Sequence, residues 1–386
     1  VKTANAVLSA QPTTIFSVIS ALALEHEAIN LGQGFPDTDG PLDIREAAAR
    51  HAVQGPNQYP PMVGLPELRQ AVADHDRRFY GLEADWQTDV LVTSGATEAL
   101  TASLMGLLNA GDEVVLIEPV YDCYRPIVEA MGAIAKPVRL QPPNWSLPMD
   151  DLKAAFGPKT KALVLNNPMN PIGKVFTRDE LEAVAGIVET FDTYVVCDEV
   201  YEHLVFAPAE HISLITLPGM DKRCLKIGSA GKSFSLTGWK VGYITACAEL
   251  LEPVMKAHQF LTFTTPPNLQ LAVAQGLRKE DSYFEALAEE MAQGRKILSD
   301  GLTEIGWNVL PCDGTYFLVA DISPFARGQS DLEFCKNLIA EAGVALVPLS
   351  PFYGPEASAP QDFVRFCFCK NDKVLHGALE RLAAVR

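Results

Sequence analysis

The chain has 386 residues, 48% hydrophobic and 20% charged, a balance that excludes a disordered polymer and a small disulfide-stapled scaffold and leaves room for roughly two to three domain-sized units. Its 48 acidic and 31 basic residues give a net charge of −17, so nonspecific binding to nucleic-acid phosphates or to an anionic membrane would work against the protein's own field. With no apolar run expected to reach the ~20 residues of a bilayer span and no secretory pattern in residues 1–11, the reading is a cytoplasmic protein with neither a nucleic-acid nor a membrane partner.

Residues 1–45 contain Pro12, Gly32, Gly34, Pro36 and Pro41 and are too short to fold alone. They are expected to drape over the rest as a lid segment and part of a smaller domain. Between residues 46 and 279, short β-branched runs alternate with stretches of helical periodicity, the mark of βαβ units and a parallel sheet. The runs at 90–93, 113–117, 161–165, 194–197 and 224–227 are near-continuously apolar, as strands covered on both faces must be. Thr177 with Glu180 forms a capping box that opens a helix through Val188. From 280 to 386 the pattern changes to one long helix, 283–302, and short strands near Val309, at 316–321 and at 363–368, a smaller α+β domain. The eight cysteines lie in apolar strings, without Cys-x-x-Cys or a His at ligand spacing, which points to reduced core residues and no metal.

Ligand groups gather at the carboxyl ends of parallel strands, and four strands end informatively. The first runs into Ser94-Gly95-Ala96-Thr97, small residues that open a helix and bare its backbone N–H groups to an anion; a ligand-free turn is the alternative. The second ends in Asn166-Asn167-Pro168-Met169-Asn170-Pro171, where two prolines stiffen a loop able to hold an amide still, or simply make a turn. The third ends in Asp198-Glu199-Val200-Tyr201. A carboxylate there needs a cation or several donors, unless it caps a helix. The fourth ends in Gly228-Ser229-Ala230-Gly231-Lys232-Ser233, and Lys232, with no acid beside it in sequence, is placed to act as a nucleophilic amine. A phosphate-binding P-loop is excluded there, because Lys226 stands where its first glycine belongs. Arg365 lies inside an apolar strand and calls for a planar anion, either a bound carboxylate or a structural glutamate. A phosphate seat, a lysine, a strand-end carboxylate, a phenol and a carboxylate clamp are together what pyridoxal 5′-phosphate requires.

Several strings carry a family resemblance, in this order: Leu31-Gly32-Gln33-Gly34-Phe35-Pro36-Asp37, Asn57-Gln58-Tyr59, Glu118-Pro119 with Tyr121-Asp122, Asn170-Pro171 with Gly173-Lys174, Asp198-Glu199-Val200-Tyr201, Ser229-Ala230-Gly231-Lys232 and Gly238-Trp239-Lys240-Val241-Gly242. The chain resembles, along nearly its whole length, the fold-type-I pyridoxal-phosphate aminotransferases of class I/II, and most of all their methionine, kynurenine and glutamine branch. The resemblance implies an α/β fold in which residues 46–279 form the large cofactor-binding domain, with a mostly parallel sheet between helices, and residues 280–386 the small domain. It implies that Lys232 forms the Schiff base and shuttles the proton. Asp198 would pair with the ring nitrogen, Tyr201 and Asn170 with the ring oxygen, and Tyr121 would stack on the ring. Gly95, Ala96, Thr97, Ser229 and Lys240 would cradle the phosphate, while Arg365, with Gly34 and Asn170, would receive the substrate carboxylate. The family works as a homodimer with shared sites, so Tyr59 and Phe263 would reach the partner's cofactor and pocket.

Relatives acting on dicarboxylates use a second arginine, and residues 258–268, the corresponding stretch, contain none. Phe16 in the lid and Phe260, Leu261 and Phe263 point instead to a neutral donor: methionine, an aromatic residue, kynurenine or glutamine. The expected reaction is a ping-pong transamination between an amino acid and a 2-oxo acid. Two other functions fit a cofactor site of this kind: a carbon–sulfur β-lyase acting on cysteine conjugates, and a noncatalytic regulatory relative. Against the second stand the acidic charge and the lack of a helix-turn-helix in the first 45 residues.

Overall fold

A computed structural model describes residues 2–356 and 358–385. Strand β1 (Ile29–Asn30) belongs to the amino-terminal segment. The large sheet then takes β2 (Val90–Thr93), β3 (Glu113–Glu118), β4 (Ile134–Arg139), β5 (Thr160–Asn166), β6 (Tyr194–Asp198), β7 (Cys224–Ser229) and β8 (Gly242–Thr245). Their order across the sheet is β2-β8-β7-β6-β5-β3-β4. The neighbours from β7 through β4 are parallel, whereas β8 runs antiparallel to both β2 and β7. The inner strands are buried on both faces, as their unbroken apolar sequences require.

Two of these strands were not read from sequence. Lys136, Pro137 and Arg139 interrupt β4, which the sheet tolerates because β4 is an edge. The four residues of β8 follow a glycine-rich turn and are too few to show a period. The helix opened by the Thr177–Glu180 box is present as Arg178–Thr190, with both reciprocal hydrogen bonds made.

The smaller sheet comprises β9 (Asn308–Val309), β10 (Phe317–Asp321), β12 (Val347–Pro348) and β13 (Phe363–Cys367), in the order β12-β13-β10-β9, and β11 (Val344–Ala345) pairs with β1. The long helix Asp281–Glu304 packs on Asp372–Leu382. The apolar stretch Ala6–Glu25 does have the length and composition of a membrane span, contrary to the sequence expectation. It is divided at Gln11–Thr14 into helices Ala6–Ala10 and Ile15–Glu25. The second buries Ile19 and Ala23 and packs on helix Asp331–Ala342, while helix Leu42–Gln54 packs on Pro267–Leu277. Residues 15–54 thus reach both of these helices, with the Gly32–Gly34 loop on the path between them.

Candidate active site

The carboxyl ends of β2, β5, β6 and β7 converge on a cavity of about 390 Å³. Its lining includes Phe16, Gly34, Gly95, Ala96, Thr97, Tyr121, Asn170, Asp198, Tyr201, Ser229, Lys232, Lys240 and Arg365, so thirteen of the seventeen residues given a site role from sequence meet in one place. Phe260 and Leu261, both exposed, lie outside the cavity, and so do Tyr59 and Phe263. The last two are 84% and 40% exposed, with ring centroids 5.6 Å apart edge to face.

Asn166, the last residue of β5, fixes the loop that follows: its Nδ2 donates to the Asp198 carbonyl at 2.9 Å and its Oδ1 accepts the Asn170 N–H at 2.8 Å. Asn170 Oδ1 then accepts from Arg365 Nη1 at 2.9 Å, and Arg365 Nη2 donates to the Gly32 carbonyl at 2.8 Å. Arg365 is 1% exposed, its Nε has no partner, and no acidic side chain among the described residues pairs with it. The structural arginine–glutamate alternative is thereby excluded. What remains is a desolvated guanidinium, 3.9 Å above the Phe317 ring and facing the cavity, its pKa drawn down by burial. Gly34 packs against that ring without a side chain, because a Cβ there would lie 2.5 Å from Phe317 Cζ.

Asp198 ends β6 and is buried. No helix follows for it to cap. Burial raises its pKa, opposed first by a hydrogen bond from Tyr124 Oη at 2.5 Å and then by the Val200 N–H. Tyr124 therefore holds the carboxylate in its charged form, a contribution the sequence reading missed. In Tyr124→Phe the Asp198 pKa rises further, so the acid limb of the pH–rate profile should move to higher pH. The variant should therefore lose more activity at the acid end of the profile than on its plateau, because a hydrogen bond to the charged form is lost; a profile parallel to that of wild type would contradict this role.

Lys232 lies on the short helix Ala230–Ser233 that follows β7. Burial draws its pKa down to about 8, with the Cys369 and Cys367 thiols and then Asp198 acting against that shift. An amine poised there has a substantial neutral fraction near physiological pH. Its Nζ donates to Tyr316 Oη at 2.5 Å, a second partner not read from sequence.

Gly95 precedes helix Ala96–Leu107 with φ +81°, which only glycine adopts without strain. A Cβ on it would meet Lys240 Cε at 3.2 Å and Nζ at 3.3 Å. Gly242 pairs with Thr93 on one side and Ser229 on the other, so the segments after β2 and β7 and the one before β8 meet. Bare helix N–H groups beside an ammonium make a seat for a dianion. Residues 26–382 match the family described as aminotransferase class I and II. The chain belongs to the class I and II aminotransferases.

This aminotransferase is 42% identical over 370 residues to the methionine aminotransferase of Escherichia coli (strain K12), covering 96% of this chain and 95% of that protein. It is 38% identical to kynurenine–oxoglutarate transaminase 1 of Homo sapiens, over 94% of this chain and 93% of that one. The solved structure of N-succinyldiaminopimelate aminotransferase from Mycobacterium tuberculosis superposes with a TM-score of 0.96 at 44% identity, covering 100% of both chains. Aminotransferases of this family depend on pyridoxal 5′-phosphate. The site fits that cofactor: the space that the missing Gly95 side chain leaves beside Lys240 suits its phosphate, the buried Asp198 its ring nitrogen and Lys232 its aldehyde.

Proposed function

We propose that this aminotransferase moves the amino group of a neutral L-amino acid, sulfur-containing, aromatic or glutamine-like, to a 2-oxo acid. One observation carries the reading: the cations lining the cavity, among the described residues, are Lys232, Lys240 and Arg365. Assigned to the aldehyde, the phosphate and the α-carboxylate, they leave no cation for an acidic side chain. Phe16, Phe35, Leu100, Tyr121 and Phe317 give the remaining wall an apolar character. The similarity to a methionine aminotransferase and a kynurenine transaminase supports the same reading.

The cofactor supplies an aldehyde that accepts the amino group and a cationic ring that draws electrons from the substrate α-carbon. Lys232 would anchor it through its amine, and that amine would carry the α-proton. Asp198, kept charged by Tyr124, keeps the ring nitrogen protonated. Asn170 and Tyr201 would meet the ring oxygen, and Tyr121 would cover the ring. Arg365 takes the α-carboxylate as a two-pronged partner. The exposed pair Tyr59 and Phe263 supports a homodimer in which each copy lends these rings to the other's site.

The test is a half-reaction screen. Single amino acids are mixed with the yellow enzyme, and its conversion to the amine form of the cofactor is followed. Methionine, phenylalanine, kynurenine and glutamine should convert it at least about 100-fold faster per molar than aspartate, whose second carboxylate would be buried without a partner. Faster conversion by aspartate or by N-succinyldiaminopimelate would overturn the neutral-donor reading.

A further inference from the structure

Tyr316 immediately precedes β10, is 1% exposed, and stands behind Lys232 rather than in the cavity wall. Its hydroxyl donates to the Gly34 carbonyl at 2.7 Å and accepts from Lys232 Nζ at 2.5 Å. Its ring meets that of Tyr201 edge to face at 5.3 Å. A phenol has one hydrogen. Because Gly34 takes it, Tyr316 can offer Lys232 only a lone pair, and Lys232 must be the donor in the contact between them. A neutral amine held through one N–H keeps its own lone pair off that partner, free on the side that lines the cavity. Were the Gly34 carbonyl absent, the phenol would donate to the amine and occupy the electrons needed for proton abstraction. Burial keeps the phenol protonated well above its usual range, so the arrangement persists at working pH.

We infer that Tyr316 is a positioning residue for transamination: with its hydrogen committed to the Gly34 carbonyl, it orients the Lys232 amine so that the lone pair faces the substrate α-carbon. The inference rests on Lys232 being the proton carrier. It also ties that orientation to the Gly32–Gly34 loop, whose other carbonyl, that of Gly32, holds Arg365. The loop that steadies the carboxylate clamp therefore also sets the direction of the base.

The experiment is Tyr316→Phe, which removes one oxygen and keeps the ring packing. In the holoenzyme kcat should fall by about 10- to 100-fold with KM for methionine within about twofold, and the isotope effect with α-deuterated methionine should rise as proton transfer becomes limiting. In protein stripped of cofactor, the pH midpoint for modification of Lys232 by cyanate should move down, because losing an acceptor disfavours the charged amine. An unchanged isotope effect together with an unchanged midpoint overturns the role of Tyr316. Borohydride reduction of the wild-type holoenzyme and peptide mapping keep the two readings apart. With the label on Lys232, the isotope effect and the midpoint decide the role of Tyr316, whereas label elsewhere rejects Lys232 as the anchor.

Discussion

Replacing Lys232 with alanine should leave a protein that still takes up pyridoxal 5′-phosphate but lacks the near-visible absorbance of a lysine-linked cofactor, with turnover reduced by about 10^4-fold. The two effects have different origins. Cofactor retention is expected to depend on the proposed cradle of Gly95, Ala96, Thr97, Ser229 and Lys240, and on Asp198, all of which line the cavity and none of which the substitution replaces. The spectrum and the chemistry depend on the amine whose pKa burial draws down to about 8. A variant with the wild-type spectrum would reject Lys232 as the anchor. One that loses the cofactor altogether would show that the cradle is too weak to hold it noncovalently.

The second large effect is expected at Arg365. In Arg365→Ala, KM should rise by about 10^2- to 10^3-fold for amino acids and 2-oxo acids alike, because both present the same carboxylate to a desolvated guanidinium. Arg365→Lys keeps the charge and loses the fork that holds Asn170 and Gly32 together, and an increase of roughly tenfold is expected. A rise confined to one substrate class would mean that the two do not share this seat. Steady-state kinetics in both directions decide.

Much of this site was legible in the sequence because its residues break a pattern. Asp198, Asn170 and Lys232 follow runs of apolar residues at the carboxyl ends of strands, and Arg365 is a charge inside such a run. Each is conspicuous against its neighbours. Tyr316 and Tyr124 are not, since a tyrosine in a mixed stretch has nothing beside it in sequence to mark it, and its hydroxyl reveals a partner only once the chain has folded. The contact between Tyr316 and Lys232 spans 84 residues, and that between Tyr124 and Asp198 spans 74, distances over which no local periodicity carries information. The edge strand β4 and the four-residue β8 were hidden for a related reason. Their place is fixed by the neighbours they pair with and not by their own propensity.

The reversed direction of β8 has a further effect on the anion seat. A strand running against its neighbours begins where they finish, so Lys240, two residues before Gly242, arrives beside Gly95 and Ser229 without a long connection. The spacing of these three segments is thus dictated by ladder hydrogen bonds, and the chain beyond Thr245 can change in length without altering it. Inserting a single residue between Lys240 and Tyr243 is a different matter. It would displace the ammonium by about 3.3 Å, the rise of one strand residue, and uncouple phosphate affinity from an otherwise intact sheet.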